Sequence, residues 1–260
     1  MGFNTNSLNR ATASISRSFA VAGDQMAKSL ERVSSGKRIN RASDDYAGFQ
    51  KIVNLSLDQT KYEGRKVGLS TLGAELQEVV DAADSVMEDL VKMKAAWVDA
   101  ESYGAGTPEK AAAEDLAAGY QASIAEALKA TTSSGKKLID GTSASWGTAT
   151  MAGGTTLTID LSGETVATGT EANSTAAQTS IDNMVSYIGK VTEYKATADS
   201  QANLTGVMIE NSKSVASAIN AIDEAEEMAN YVDADIRQQA SVSMLSQANM
   251  SRRNISNLYS

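Results

Sequence analysis

Apolar positions near the start of the chain recur at Leu8, Ile15, Phe19, Ala22, Met26, Leu30 and Val33, in steps of seven, four, three, four, four and three. Steps of three and four keep side chains on one face of an α-helix, so the spacing predicts a helix over Ser14–Val33 with a heptad-like stripe. Ser34-Ser35-Gly36 ends it, with Gly36 placed as the cap that takes a left-handed backbone. Ser43 is the candidate N-cap of a second helix, with Asp44 and Asp45 in its first turn, where carboxylates meet the positive helix end. Its stripe runs through Leu69, Leu72, Leu76, Val79, Ala83, Val86, Leu90, Met93 and Trp97. One long helix from near Asp44 to Glu101 is therefore expected, loosened near Gly64 and Gly68. Thr107-Pro108-Glu109 starts a third helix, with Thr as N-cap and Pro at the first helical position. Leu116, Tyr120, Ile124 and Leu128 supply its apolar face.

The pattern changes over residues 131–180, where twenty of fifty residues are Ser or Thr and seven are Gly, a composition of loops and strands. Thr156-Leu157-Thr158-Ile159-Asp160-Leu161 alternates and predicts a half-buried strand. Ser162-Gly163 then reads as a turn and Glu164-Thr165-Val166 as the return strand. A solvated hairpin accounts for the Ser/Thr content; a glycosylated surface is the alternative. Helical spacing returns near Thr175, through Ile181, Met184, Ile188 and Val191, then Val207, Val215, Ile219 and Ile222. After the charged stretch Asp223–Glu227 comes a last helix with Ile236, Ala240, Met244, Ile255 and Leu258 on one face. The expected fold is mainly α: long antiparallel helices forming a coiled-coil or bundle subunit, with a small β-hairpin insert.

Composition removes several function classes. The 260 residues include one proline, no cysteine and no histidine. That excludes a disulfide framework, the usual zinc ligand sets, a thiol nucleophile and a Ser-His-Asp triad. No phosphate-binding Gly-x-x-x-x-Gly-Lys-Ser/Thr motif is present. Glu224, Glu226, Glu227, Asp233 and Asp235 read as a solvated acidic helix face, so no enzyme, cofactor or metal is expected. No stretch approaches the roughly 18 apolar residues of a membrane span, and membrane insertion is not expected. A net charge of −9 argues against nucleic acid as a partner. The charge is uneven, +5 over residues 1–66 and −14 over the rest, which suits chain ends that meet one another or neighbouring copies. The first residues lack the charged-then-apolar pattern of a cleaved secretory signal, leaving a cytosolic chain or one exported without such a signal.

The terminal stripes leave two readings open. Helical stability in water comes mostly from packing an apolar face, and two terminal helices alone make a thin layer with one side uncovered. Either the ends dock on the central helices of an ordinary bundle, or they order only against the ends of neighbouring copies.

Longer motifs narrow this. Leu30-Glu31-Arg32-Val33-Ser34-Ser35-Gly36-Lys37-Arg38-Ile39-Asn40-Arg41-Ala42-Ser43-Asp44-Asp45-Tyr46-Ala47-Gly48-Phe49 closely resembles the signature of bacterial flagellins. Asn4-Thr5-Asn6, Gly135-Lys136-Lys137-Leu138-Ile139-Asp140-Gly141 and the run Gln238–Asn249 are similar to that family as well. The Ser/Thr-rich middle matches least. Two departures stand out. Met250-Ser251-Arg252-Arg253 replaces the family's Gln-Ser-Pro-Gln, altering the charge of the last turns. Leu90-Val91-Lys92-Met93-Lys94-Ala95-Ala96 replaces the Leu-Gln-Arg-x-Arg-Glu-Leu of relatives recognised by vertebrate innate receptors, and lysine does not reproduce bidentate arginine contacts.

The resemblance implies a structural subunit that self-assembles into the flagellar filament for motility, located outside the cell or in a periplasmic flagellum. Residues 1–42 with 221–260 would form an inner terminal-helix coiled coil, and 43–220 a helical bundle with the hairpin near 141–175. The implied partners are further copies of the chain, the filament cap, the hook–filament junction proteins, and the export apparatus with its chaperone. The expected assembly residues are Leu8, Ile15, Phe19, Met26, Leu30 and Val33 at one end and Ile236, Met244, Leu245, Ile255 and Leu258 at the other. Arg38, Arg41, Asp44 and Asp45 are expected to form ion pairs within or between subunits; a helix break with its cap is the simpler account of that segment. The competing functions are a hook–filament junction protein, which adds one layer only, and a monomeric secreted helical adhesin.

Overall fold

Every long helix in the computed structural model ends or begins at a side chain or glycine suited to the task. The structure describes residues 5–132, 134–139, 141, 143, 145–164, 166–167 and 169–258, with the side chains of 5–8 and 255–258 outside the description. Helix α1 (Thr5–Ser35) ends at Gly36, whose φ of 65° is the left-handed conformation that favours glycine. Helix α2 (Tyr46–Ser102) runs unbroken through Gly64 and Gly68. Its N-cap is Asp45, whose Oδ1 accepts from the Gly48 amide at 2.9 Å. Ser43 therefore does not cap α2, because the loop continues two residues further before turning helical.

Helix α3 (Pro108–Ala127) begins at Thr107, which accepts from the Lys110 amide, with Pro108 in the first turn. Helix α4 (Ser174–Asn220) is capped by Asn173, which accepts from the Ala176 amide at 2.7 Å. Glu101, at the end of α2, also holds Ser174 through its amide and hydroxyl at 2.9 and 2.6 Å. Helix α5 (Glu224–Leu258) starts at Asp223, so the charged stretch is its cap and first turn, with three glutamates at the positive end.

The chain divides into two compact units, Met1–Leu57 with Ser212–Ser260, and Asp58–Asn211. In the second unit the α2 stripe is buried from Leu69 to Met93, as its spacing predicts, and Trp97 is partly buried. Facing it, α4 buries Met184, Tyr187, Val191 and Ala198. The two helices run antiparallel, with Lys94 donating to Gln178 at 2.5 Å and Gly73 lying beside Asp199. Helix α3 buries Ala117 and Ile124 and ties to α2 through Ser123 and Asp89 at 2.7 Å. Leu116 is exposed, one position off the face expected of it, and Val207 is exposed on α4 while the unforeseen Tyr187 is fully buried. Helical steps of three and four do not alone say which of two adjacent apolar positions turns inward.

Strands β1 (Gly147–Thr150) and β2 (Thr156–Ile159) pair antiparallel, from Gly147 with Ile159 to Thr150 with Thr156. Leu157 and Ile159 point inward and the threonines outward, which is the alternation of a half-buried strand. The partner of β2 is thus upstream. Glu164 and Val166 form no strand, and Thr165 lies outside the described residues. The Ser162-Gly163 turn, closed by the Ser162 amide on Asp160 at 2.9 Å, leads the chain away from β2. The hairpin turns instead through Gly153-Gly154, where Gly154 has φ 87°.

The loop entering the hairpin is pinned to α2 by a polar cluster. The nearly buried Glu75 accepts from Lys136 Nζ at 2.6 Å and from Ser134 at 2.5 Å, and the same ammonium sits 4.9 Å from the Trp146 ring centroid. Trp146 in turn donates to the Lys137 carbonyl at 2.7 Å. Burial pushes the Glu75 carboxyl up, but its Lys136 and Ser134 hydrogen bonds outweigh this and hold it below its ordinary value.

Candidate assembly interface

In the first unit α1 and α5 pack against one another antiparallel: Arg32 Nη1 meets Glu227 Oε1 at 2.8 Å, and Gly23 faces Gln238. Among the described residues of these two helices, only Ala22, Ser29, Ala234 and Ser241 are buried. Each pair is seven residues apart, the heptad period of a helix seam. Small side chains let the helices approach closely, and the Ser241 hydroxyl is satisfied by the Arg237 carbonyl at 2.8 Å. Around them Ile15, Met26 and Val33 of α1 and Tyr231, Gln238 and Leu245 of α5 are half-buried.

The large apolar residues lie mostly outside this seam. Phe19, Val21 and Leu30 on α1 and Met228, Val232, Ile236, Val242, Met244 and Met250 on α5 are exposed. An open groove along the pair is floored by Val21, Ala22, Ala240 and Met244 and edged by Arg17 and Arg237. Scattered exposed apolar residues are ordinary, and nine large ones on one helix pair make that pair the candidate contact surface.

The expected assembly residues thus divide. Ile15, Met26, Val33 and Leu245 line the seam within the subunit, whereas Phe19, Leu30, Ile236 and Met244 face outward. The side chains of Leu8, Ile255 and Leu258 lie outside the described residues. Ser29, Ala234 and Ser241 were missed because a search for large apolar side chains passes over them. The seven-residue repeat of small residues was the signal that could have found them.

The four charged residues between α1 and α2 are used in different ways. Asp44 Oδ2 accepts from the Arg41 amide at 2.9 Å and the Asn40 amide at 3.2 Å. The Arg41 amide chiefly, against slight desolvation, holds the Asp44 carboxyl below its ordinary value. Arg41 pairs with Glu31 at 3.1 Å rather than with either aspartate. Asp45 caps α2, and Arg38 lies 3.9 Å from it, an exposed pairing of small energetic worth. Arg38 Nη2 makes its closer bond, at 3.0 Å, to the Ile219 carbonyl at the end of α4. Its backbone amide donates to the Asn220 carbonyl at 2.8 Å, and the Ile39 amide to Asn220 Oδ1 at 2.9 Å.

The described residues hold no cluster of three acidic side chains suited to a metal, and no described helix is long and apolar enough to cross a membrane. What this arrangement offers chemically is contact surface. The description of the bacterial flagellin N-terminal helical region matches residues 3–144, and that of the bacterial flagellin C-terminal helical region matches residues 172–259. No individually curated protein matches the chain. With matches at both ends that leave only residues 1–2, 145–171 and 260 unmatched, the chain belongs to the bacterial flagellin family.

Proposed function

We propose that the outward faces of α1 and α5 are the surfaces through which copies of this chain join. A flagellin is a structural subunit of the extracellular flagellar filament, not an enzyme, and this chain has that function. The finer reading assigns residues 1–42 and 221–260 to an inner coiled-coil layer and 43–220 to the layer around it. The observation that carries it is the exposure of Phe19, Leu30, Ile236 and Met244 on helices whose mutual seam buries only small residues. Covering those side chains requires a further surface, and a neighbour's α1 and α5 present one of the same character. Ile15, Met26, Val33 and Leu245 then support the interface by fixing the pair from within, and Arg38, Arg41, Asp44 and Asp45 shape the crossing into α2. In the sequence, Leu8, Ile255 and Leu258 continue the apolar spacing toward the ends.

The filament cap, the hook–filament junction proteins and the export apparatus with its chaperone are the further partners this reading assigns. A chain without cysteine, whose terminal helices bury little by themselves, is suited to passage in an unfolded state and to folding at the growing tip.

Seeded growth tests the reading. Purified chain added to filament fragments is expected to elongate them without limit, and a chain lacking residues 1–33 to remain soluble and helical but add to nothing. Addition of a single layer would identify a junction protein instead. A persistent monomer with terminal amides protected from hydrogen exchange would identify a self-contained binding module.

A further inference from the structure

The seam between α1 and α5 does not define its own register. Ala22 and Ser29 on one helix and Ala234 and Ser241 on the other repeat every seven residues, and the Arg32–Glu227 and Gly23–Gln238 contacts set Ala22 level with Gln238, Ser29 with Tyr231 and Ala234 with Met26. Sliding α5 by one heptad again sets small residues against larger ones, Ala22 against Leu245, Ser29 against Gln238 and Ser241 against Met26. The larger side chains on the seam, Ile15, Met26, Val33, Tyr231 and Leu245, are only half-buried and do not interlock tightly enough to forbid such a slip. Something outside the seam has to hold the two helices in step.

We infer that Asn220 and Arg38 are that device: positioning residues that tie the α1–α2 crossing to the α4–α5 crossing and so fix where α5 starts relative to where α1 ends. Three hydrogen bonds join the two crossings, two from the Arg38 and Ile39 amides to the carbonyl and side-chain oxygen of Asn220, and one from the Arg38 guanidinium to the Ile219 carbonyl. They are specific because an amide donor and a fixed acceptor meet at one offset only. Asn220 is the last residue of α4, so its carbonyl and that of Ile219 have no partner further along that helix, and the Arg38 segment supplies donors. One helical step beyond the crossing, Arg32 meets Glu227, whose other carboxylate oxygen is buried without a partner among the described residues. A slipped α5 carries Glu227 away from Arg32 and leaves the whole carboxylate unpaired, so the ion pair reinforces the register that the crossing sets.

This inference rests on the assembly reading for its consequence but not for its measurement. Because the chain has no cysteine, Ala13→Cys and Asn230→Cys place two spin labels at exposed positions of α1 and α5. At 1.5 Å per residue a one-heptad slip moves the labels by about 10 Å along the pair. Their separation is measured by double electron–electron resonance, in filaments grown with labelled chain diluted into unlabelled chain and again in the free chain. With Asn220 intact, one separation is expected. Asn220→Asp retains an oxygen acceptor for the Ile39 amide and is expected to preserve that separation. Asn220→Ala removes the side-chain acceptor of the Ile39 amide, leaving the backbone carbonyl, and is expected to add populations displaced by about 10 Å, or to be excluded from filaments that admit the aspartate variant. A single unshifted separation in Asn220→Ala, or equal failure of the alanine and aspartate variants, overturns the inference. Failure of the unsubstituted chain to extend seeds would instead count against the assembly reading.

Discussion

Replacing Leu30 and Ile236 together by serine separates surface that stabilises the subunit from surface that joins subunits. In the subunit Leu30 is 57% exposed and Ile236 59%, and neither lies on the α1–α5 seam. Burying a Leu or Ile side chain completely contributes about 1.5–3 kcal/mol, so covering the exposed part of both contributes about 1.7–3.5 kcal/mol to each subunit that joins a filament. At 1.4 kcal/mol per tenfold change, loss of that contribution raises the concentration of unassembled chain in equilibrium with filament roughly 15- to 300-fold. The subunit itself should change by less than about 0.5 kcal/mol, as surface substitutions ordinarily do. The assay is seeded growth followed by sedimentation, with the soluble fraction quantified and the far-ultraviolet circular dichroism melt run in parallel. A soluble fraction within threefold of the parent's, with the melt unchanged, would refute the claim that neighbours cover this face. A lowered melt would place the two side chains in the subunit's own packing instead.

Three further expectations concern the second unit. Leu90→Ala, at a fully buried position of the α2 stripe, should cost about 2–5 kcal/mol, read as a fall in urea midpoint, because the surrounding helices cannot close the space. Thr107→Ala should cost about 1 kcal/mol by removing the acceptor for the Lys110 amide, whereas Thr107→Ser should restore most of it. Glu75→Gln tests the loop cluster by its pH dependence. The folded carboxyl lies below the ordinary value of 4.5, so its stabilisation is complete above the unfolded pKa and is lost as pH falls through the folded one. The parent's advantage over the glutamine variant should therefore be full at pH 7 and shrink as the pH is taken below 4.5; an advantage that grows on acidification would mean Glu75 is not held as an ion pair.

Legibility in the sequence followed side-chain size. The α2 stripe from Leu69 to Met93 was read correctly because it is built of large apolar residues at steps of three and four, and all of them are buried. Strand β2 was legible for the same reason, Leu157 and Ile159 alternating with threonines. Its partner was not, since Gly147-Thr148-Ala149-Thr150 alternates only weakly, and the choice of side depended on which glycine turn closes the hairpin. Ser43 read as the cap, with Asp45 in the first turn, because local chemistry permits either to cap and the geometry of the loop decides for Asp45. The seam of the terminal pair was hidden by its alanines and serines. The bond from Arg38 to the Ile219 carbonyl spans 181 positions and ends on a backbone atom, so no residue pattern encodes it.

Under the proposed assembly, the contrast between the two units accounts for a dependence of the chain on its own copies. The second unit buries leucines, valines, methionines and a tyrosine within itself, so its stability is intrinsic. The terminal pair buries alanines and serines and leaves nine large apolar side chains about half exposed. Covering all nine would contribute on the order of 7–14 kcal/mol. Joining two molecules costs an estimated 4–15 kcal/mol of lost freedom of motion. In the proposed assembly an encounter of two subunits covers only part of the surface and meets nearly the whole cost, so it is not expected to persist. A subunit entering the end of a filament would meet several neighbours at once, cover more of the surface and incur that cost once. Contacts repeated by a rotation that does not close generate an open helix, and each added subunit recreates the same multiple site. On the proposed reading the small-residue seam ties the terminal pair to polymer growth, since larger residues fully buried there would have completed the pair without any neighbour.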